Sequence, residues 1–455
     1  MAGGNWRETK PQQKPAKSTK PGMAARLVAI NLLTRVMDDH RNLDALCDRQ
    51  HGLKEYLALA VNDRALARAI VVTACRNHVR IERALSRVQD RPPPKRARFL
   101  IHALHVAAAQ MLFMDVPESA AVDLAVSAIG DDPRTARFRG FANAVLRRMA
   151  RERNEISGML ETVPPFPLWL EKTLRKDFGK DKSAKISVAV YLPPNLDLTV
   201  KSDPKGWAEK LTGKVLPNGT VRLSGNTPVV DLEGYEAGEW WVQDAAASMP
   251  AKLVKAAPGA RVLELCAAPG GKTAQLANAG FDVTALDISA PRLKRLGDNL
   301  ERLGFSATLV EADILEWEPD ERFDAVLLDA PCSSTGTIRR HPDVMWTKTA
   351  RDVSDLAKLQ ISLLRKAATF VRPGGSLVFS NCSMLKEEGE NLLASITGQG
   401  CGLTLDRIGA DEIFGEIDLI NGQGAVRSLP FHFADDAASE MGGMDGFFAA
   451  RFVKT

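Results

Sequence analysis

The sequence has no long apolar run, few cysteines and no metal-ligand spacing among its histidines. None of its 455 residues lie in an apolar stretch near the ~18 residues of a membrane helix, so we expect no membrane segment. The N-terminus lacks the apolar core of a secretory signal, and the six cysteines include no Cys-x-x-Cys pair. Both absences indicate a cytoplasmic protein with free thiols. His102 and His105 form an isolated pair on an apolar helix, which we interpret as structural, and no metal site is expected.

Charge is distributed unevenly along the chain. Residues 1–150 hold 25 Lys and Arg against 14 Asp and Glu, a net charge of +11, whereas the remaining 35 basic and 42 acidic residues give −7. A basic half favours a polyanion as its partner, although most charged surfaces are simply solvated.

The residue pattern divides the chain into four parts. Residues 1–22 are rich in Lys, Pro and Gln and predict a disordered basic arm. Residues 23–155 show amphipathic helical periodicity, and the apolar stretch Phe99–Met114 predicts a central buried helix. Residues 156–255 combine Pro-rich turns with short strand-like runs such as Leu196–Val200, which predict a small α+β subdomain.

Apolar strands alternate with helices in the fourth part, residues 256–455. Strands are predicted at 261–265, 282–287, 306–310, 323–329, 375–380 and 446–453, and helices near 272–279, 290–302, 351–371 and 387–397. This alternation predicts a doubly wound, Rossmann-like α/β domain with a parallel sheet. In such a sheet the loops that follow the strands lie on one rim, where ligands bind.

The loop after the first of these strands is suited to close contact with a ligand. The segment Cys266–Thr273 combines small residues with two glycines before a helix. Gly271-Lys272-Thr273 resembles the end of a phosphate loop, but the leading glycine of a Walker motif would fall at Cys266. The dinucleotide fingerprint Gly-x-Gly-x-x-Gly is also absent, which disfavours NAD.

Three acidic residues close successive strands of the predicted sheet. Asp287 follows the second strand, where a carboxylate commonly binds ribose hydroxyls, and Asp313 and Asp329 follow the third and fourth. A single such residue is often only a helix cap or Asx turn, but three after a glycine loop favour a ribose-containing cofactor. S-adenosyl-L-methionine has a ribose, an adenine and a positive charge without a pyrophosphate, and fits best.

Two cysteines are predicted on the same rim. Cys332 follows Asp329-Ala330-Pro331, and Cys382 follows the strand that ends near Ser380. A free cysteine is most often a small buried apolar residue. Two thiols beside a carboxylate and a methyl donor instead favour methylation of a pyrimidine at C5. One thiolate adds to C6 and a second acid–base group assists release, while Asp329 would bind the base as cytosine and stabilise the adduct.

These segments resemble the RNA cytosine-5 methyltransferase family. The likeness covers Cys266–Thr273, Asp329–Gly336, Asn381–Ser383, Glu387–Asn391 and Asp445–Phe448. It implies that Cys382 is the nucleophile and that Cys332 assists product release; DNA cytosine-5 methyltransferases attack from a Pro-Cys motif instead, so the order of roles depends on this resemblance. It also places S-adenosylmethionine on Cys266, Ala267, Ala268, Pro269, Gly270, Gly271, Lys272, Asp287, Asp313 and Asp329.

Two positions depart from the family pattern. Asn381 precedes the predicted nucleophile where the family usually has Thr. Asp197-Leu198-Thr199 follows the Pro193-Pro194-Asn195 turn in place of the usual Arg-Val-Asn, which puts one expected RNA contact in doubt.

The helical part is similar to NusB, an RNA-binding antitermination factor, most clearly at Phe141–Arg147. A NusB-like domain joined to this methyltransferase resembles bacterial enzymes that methylate a cytosine of 16S rRNA. The resemblance implies an RNA (cytosine-5-)-methyltransferase that acts on 16S rRNA as a monomer. Two alternatives remain: methylation of tRNA or another rRNA site, and a non-catalytic RNA-binding or antitermination protein.

Overall fold

The computed structural model describes residues 20–224, 227–396, 401–434 and 441–455. These residues form two compact units. The first contains the chain up to Arg35 with Asp44–Ala74 and Ala84–Gly158, and the second contains Val36–Leu43, Cys75–Arg83 and Met159–Thr455. The predicted arm spans residues 1–22, and its residues 1–19 lie outside the described residues. In the ranges given above, no helix is both long enough and apolar enough to cross a membrane.

The N-terminal part of the chain is helical, as predicted. Its helices are α1 (Met23–Met37), α2 (Leu43–Leu46), α3 (Lys54–Leu57), α4 (Val61–Arg76), α5 (His78–Val88), α6 (Arg98–Phe113), α7 (Glu118–Asp131), α8 (Arg139–Arg151) and α9 (Arg153–Leu160). Helix α6 carries no charged residue after Arg98 and buries most of its length, including His102 and His105. It is therefore the central helix that its composition predicts.

A small antiparallel sheet follows the long helix α10 (Leu168–Tyr191). Its strands are β1 (Leu196–Val200), β2 (Gly213–Val215), β3 (Val221–Leu223) and β4 (Trp240–Val242), in the spatial order β2-β3-β1-β4. The short helices are α11 (Pro204–Lys210) and α12 (Met249–Lys252). Asp203 caps α11, because its side chain accepts a hydrogen bond from the Gly206 amide at 3.0 Å.

The C-terminal part contains an eight-stranded mixed sheet. Its strands are β5 (Arg261–Leu265), β6 (Asp282–Asp287), β7 (Thr308–Glu311), β8 (Phe323–Asp329), β9 (Val371–Asn381), β10 (Leu403–Asp406), β11 (Val426–Ser428) and β12 (Phe447–Lys454). The helices are α13 (Gly271–Asn278), α14 (Ala290–Leu303), α15 (Val344–Thr347), α16 (Ala350–Phe370) and α17 (Glu390–Ile396). Strands β5 to β9 are parallel in the order β9-β8-β5-β6-β7, whereas β10, β11 and β12 are antiparallel to their neighbours.

This order confirms the Rossmann-like fold and corrects one detail of it. The chain starts at the central strand β5, winds outward through β6 and β7, and returns to the other side of β5 as β8 and β9. The winding direction reverses beside β5, and ligands bind outside the carboxyl ends of strands at such a point. The sheet is mixed rather than wholly parallel, because an antiparallel edge continues it beyond β9.

Alternating side chains of the central strands form the core. Leu263 and Leu265 of β5 pack on one face of the sheet, and Val262 packs on the other. Glu264 points to the same side as Val262 and is buried without being apolar. Buried ionisable groups are typical of functional sites, and Glu264 lies next to the rim at the end of β5.

Candidate active site

The glycine loop turns the chain sharply from β5 into α13. Cys266 and Gly270 both adopt positive φ angles, of 59° and 99°. A Cβ atom on Gly270 would lie 2.7 Å from the Leu296 side chain, so both the backbone angle and the close approach require glycine there. The loop thereby brings its backbone to the rim without side chains in the way.

Two of the predicted acidic residues accept hydrogen bonds from backbone amides, and only Asp287 does so in the glycine loop. Asp287 is buried, and its carboxylate accepts hydrogen bonds from the Ala268 amide at 3.1 Å and the Ser289 amide at 3.0 Å. Asp313 is exposed and accepts a hydrogen bond from the Leu315 amide at 2.9 Å, which makes an Asx turn. In the described part of the chain, neither side chain lines the cavity at the rim.

The rim holds a cavity of about 450 Å³. The loop residues Ala267–Lys272 line it together with Asp329 and Cys382. Its remaining lining consists of residues that the sequence did not single out for this role: Val229, Tyr235, Trp241, Val242, Gln243, Asp244, Ala247, Glu264, Asn299, Arg302, Leu303, Thr337, Arg340 and Phe447. Cys266, one of the predicted cofactor residues, is not among the described residues that line the cavity. Burial raises the pKa of its thiol to about 12.

Asp329 is held at the cavity by two donors. Its Oδ2 lies 2.7 Å from Lys272 Nζ, and its Oδ1 accepts a hydrogen bond from the Ser380 hydroxyl at 2.8 Å. Burial opposes the charge of Lys272, but the adjacent Asp329 outweighs this and raises the pKa of the ammonium group. The pair therefore holds the carboxylate of Asp329, which is about a quarter exposed at 27%, in a fixed position at the cavity.

A second carboxyl group lies beneath the loop. Burial raises the pKa of Glu264 to about 8, even though the Thr273 hydroxyl donates to it at 2.5 Å. Glu264 is thus largely protonated at neutral pH and adds little negative charge to the cavity.

The two predicted cysteines contact each other: Cys382 lines the cavity, and Cys332, which is not among its described lining residues, lies against Cys382. Cys332 Sγ and Cys382 Sγ are 3.4 Å apart, within hydrogen-bond distance for sulfur. The bond from Cys332 lowers the pKa of Cys382, with help from Ser334 and Lys272 and against burial and Asp329. The same contact, together with burial, raises the pKa of Cys332 well above its ordinary value. The two directions make Cys382 the more acidic thiol of the pair.

Backbone hydrogen bonds tie the thiol-bearing loops together. The Gly336 amide donates to the Cys382 carbonyl at 2.9 Å, and the Gly446 amide donates to the Gly336 carbonyl at 2.9 Å. A Cβ atom on Gly336 would overlap the Gly446 carbonyl and lie 2.8 Å from the Cys382 carbonyl oxygen. Only glycine fits where these three segments cross.

Glu388 organises a buried polar network behind the thiols. Its carboxylate accepts hydrogen bonds from the Ser333 amide at 2.9 Å, the Ser333 hydroxyl at 2.5 Å and the Gln360 amide group at 2.9 Å. Asn381 donates from Nδ2 to the Glu388 carbonyl at 2.7 Å and accepts from the Ser383 amide at 3.1 Å. Asn381, which departs from the family pattern, therefore fixes the loops on both sides of Cys382.

Arg340 reaches the cavity from the loop after Cys332. Its guanidinium donates to the buried Asp445 from both Nε, at 3.0 Å, and Nη2. Burial and the nearby Asp244 raise the pKa of Asp445 to about 6, although Arg340 opposes this. The Asp445 amide in turn donates to Asp244 Oδ1 at 3.1 Å, so this ion pair is anchored to the segment after β4.

The second departure from the family pattern is buried. Asp197 and Arg222 face each other across β1 and β3, and their two hydrogen bonds are both 2.7 Å long. Asp197 also accepts from the Ala245 amide at 3.1 Å, and burial raises its pKa against the effect of Arg222. Its carboxylate is directed into the protein, so position 197 offers no side chain for RNA.

Sequence reasoning missed the part of the site that follows β4. Gln243 accepts from the Thr199 hydroxyl at 2.8 Å and from the Trp241 indole at 3.0 Å, and donates to Gln275 at 2.8 Å. The available signal was a short aromatic run, Trp240-Trp241-Val242, that ends in two polar residues.

Comparisons with known proteins agree on the kind of protein that carries this site. The profile of the family described as 16S rRNA methyltransferase RsmB/F matches residues 251–453, and the NusB family profile matches residues 23–151. The chain is 36% identical to the ribosomal RNA small subunit methyltransferase B of Xylella fastidiosa, over 95% of this chain and 98% of that protein. It is 34% identical to the protein of the same description from Xanthomonas campestris, over 87% and 92% of the two chains.

Solved structures share the fold. The crystal structure of PH0851 matches with a TM-score of 0.69 and 21% identity, covering 96% of this chain and 100% of that one. A methyltransferase homologue from Pyrococcus horikoshii matches with a TM-score of 0.52 and 25% identity, covering 62% and 94%.

Proposed function

Because the chain belongs to the RsmB/F family of 16S rRNA methyltransferases, we propose that it methylates carbon 5 of a cytosine in 16S rRNA through a covalent bond from Cys382 to carbon 6. Family membership makes the chain an S-adenosylmethionine-dependent enzyme that methylates ribosomal RNA. The observation that carries the finer proposal is the 3.4 Å contact between two thiols at the cavity, close to the carboxylate of Asp329.

The residues at the cavity fit S-adenosylmethionine. The loop Ala267–Lys272 presents backbone and small side chains, and a Cβ atom on Gly271 would already reach the Gln243 side chain at 3.4 Å. We propose that this loop holds the cofactor and that Asp287 acts by fixing the Ala268 amide. When bound, the cofactor supplies an electrophilic methyl group.

Cys382 is the nucleophile in this proposal. Its thiolate adds to carbon 6 of the pyrimidine, and the electron pair of the C5–C6 double bond becomes available at carbon 5 for the new carbon–carbon bond. The hydrogen bond from Cys332 favours the thiolate form, which is the reactive form of a thiol. The opposite directions of the two pKa shifts support this ordering in addition to the resemblance.

Cys332 assists release because its acidity depends on the state of Cys382. The main cause of its raised pKa is the hydrogen bond to the Cys382 sulfur. Once Cys382 is bonded to carbon 6, that sulfur carries no charge and this cause disappears. Cys332 then loses its proton to water more easily, and the resulting thiolate accepts the proton from carbon 5. The electron pair of that C–H bond reforms the double bond and expels Cys382 as a thiolate.

Asp329 reads and stabilises the base. A carboxylate accepts a hydrogen bond from the exocyclic amino group of cytosine, which distinguishes cytosine from uracil. Lys272 and Ser380 each occupy one oxygen of Asp329 at 2.7 and 2.8 Å, and each oxygen keeps a further lone pair for the base. Their contacts hold the carboxylate in one orientation before the substrate binds.

Two cysteine variants test the mechanism. We expect Cys382→Ala to abolish methyl transfer to 16S rRNA, and Cys332→Ala to accumulate a covalent protein–RNA complex that survives denaturing electrophoresis. Cys401→Ala is the matched control, since Cys401 is not among the described residues that line the cavity and its thiol donates to the Ile396 carbonyl at 3.8 Å. Undiminished turnover in Cys382→Ala would contradict the proposed nucleophile. A covalent complex in Cys382→Ala and none in Cys332→Ala would exchange the two roles.

Bisulfite mapping identifies the substrate. Ribosomal RNA modified with and without the protein should differ at one cytosine of 16S rRNA. A new 5-methylcytosine in tRNA instead would replace the proposed substrate while leaving the chemistry in place.

An arginine-lined cleft in the helical unit supports RNA as the partner. The cleft has a volume of about 370 Å³ and includes Arg96, Arg98, Arg134 and Arg137 next to Phe138. Arg134 pairs with Asp132 at 2.6 Å, whereas Arg96 and Arg137 pair with no acid within the ranges that the structure describes. Clustered cations without counter-charges repel one another, and phosphate groups relieve that repulsion.

Neutralising these two arginines tests the RNA contact. We expect Arg96→Gln/Arg137→Gln to weaken binding of a 16S rRNA fragment and to reduce the slope of log affinity against log salt by about 1 to 2. Arg87→Gln is the control, because Arg87 already pairs with Glu152 and Glu155 at 3.2 and 2.5 Å. Unchanged affinity and salt slope in the double variant would remove the cleft from the RNA interface.

A further inference from the structure

The two thiols at the cavity are arranged for oxidation as well as for methylation. Their sulfur atoms are 3.4 Å apart, both residues are partly exposed, and Cys382 lines the open cavity. A disulfide needs the sulfurs to approach by about 1.4 Å more, to about 2.05 Å, which side-chain rotation can supply. We propose that a hydroperoxide converts Cys332 and Cys382 into an intramolecular disulfide that reversibly stops methylation.

The chemistry needs no partner other than the peroxide. The Cys382 thiolate attacks one peroxide oxygen, a sulfur–oxygen bond forms, the oxygen–oxygen bond breaks, and the leaving oxygen takes a proton to become water or an alcohol. The Cys332 sulfur then attacks the Cys382 sulfur. The sulfur–oxygen bond breaks, and hydroxide leaves with the proton of Cys332 as water. Two thiols give up two electrons, and the peroxide is reduced.

The arrangement gives the two cysteines different roles: one attacks the peroxide, and the other reacts with the sulfenic acid that forms. Thiolate character at Cys382 makes it the site of first oxidation, and Cys332 waits at hydrogen-bond distance to trap the sulfenic acid. Trapping prevents further, irreversible oxidation of the same sulfur. The raised pKa values of Cys75 and Cys266 disfavour oxidation at those positions.

Formation of the bond is independent of the proposed function, but the loss of activity depends on Cys382 being the nucleophile. The test treats the full-length protein with hydrogen peroxide and then analyses it without reduction. We expect a mass loss of about 2 Da, a single cross-linked pair of peptides containing Cys332 and Cys382, and recovery of methyl transfer with dithiothreitol. The control variant Cys401→Ser should behave as the wild type. Cys332→Ser should form no cross-linked pair and should instead carry a sulfinic acid on Cys382, a mass gain of about 32 Da that dithiothreitol does not reverse.

The outcomes separate the two claims. If peroxide leaves Cys332 and Cys382 unlinked while Cys382→Ala is inactive, the redox inference is wrong and the proposed function stands. If the disulfide forms but the oxidised protein still methylates RNA, both the switch and the role of Cys382 as nucleophile are refuted.

Discussion

Replacement of Gly336 by alanine tests whether the crossing of three loops sets the geometry of the thiols. A Cβ atom there overlaps the Gly446 carbonyl, and real Cβ atoms essentially never come closer than 3.0 Å to such atoms, so the segments must separate by more than about 1 Å. The Gly336 amide would then lose its 2.9 Å hydrogen bond to the Cys382 carbonyl. A misplacement of this size costs about 100-fold in turnover, which corresponds to about 2.7 kcal/mol.

The assay is the initial rate of methyl transfer into 16S rRNA at saturating substrate. Thermal unfolding should show that Gly336→Ala remains folded, since the lost hydrogen bonds contribute only about 1 kcal/mol each. Gly158→Ala is the matched control, because a Cβ atom at Gly158 meets no other atom within 4 Å. A folded Gly336→Ala with the turnover of the wild type would show that the loop crossing does not position the thiols.

Three further changes probe buried groups of the site. The rate should rise with pH as Cys382 ionises, with its midpoint below the ordinary thiol pKa of 9.0, and Cys332→Ala should move this midpoint to higher pH in single-turnover assays. Glu264 has a pKa of about 8 against 4.5 when unfolded, so the unfolding free energy of the wild type should fall as pH rises from about 4.5 through about 8. Urea titrations should find a smaller fall in Glu264→Gln, above all between about pH 6 and pH 8, where the raised pKa of Asp445 no longer contributes. Asn381→Thr should lower the unfolding free energy by about 1–3 kcal/mol, because a hydroxyl cannot make both bonds of the amide, including the 2.7 Å bond to the Glu388 carbonyl. A stability equal to that of the wild type would contradict the network.

Local pattern was sufficient for the central strands of the large sheet. The runs at 261–265, 282–287 and 323–329 are apolar, bounded by turns, and have the predicted bounds in the structure. The prediction failed for β10 and β11, which are four and three residues long and acquire their order only by pairing with β12. Strands this short carry too few residues for a periodic signal.

The sequence predicts that both thiols lie on one rim, but it does not predict that their pKa values shift in opposite directions. That difference depends on a 3.4 Å contact between residues 50 positions apart, and on Lys272, which comes from another loop. The ion pair of Arg340 with Asp445 joins positions 105 apart, and nothing local to either predicts the other. Contacts of this range are set by the packed fold.

The pair of Asp197 and Arg222 restricts how this protein can change over generations. Each side chain is almost fully buried, with exposures of 3% and 1%, and each is the main partner of the other. Loss of either one leaves an isolated charge inside, at a cost of about 3–5 kcal/mol, whereas an apolar pair of similar volume is tolerated. A lineage can therefore leave this combination only when both positions mutate nearly together. Among descendants of this sequence, we expect the two positions to be inherited as a unit.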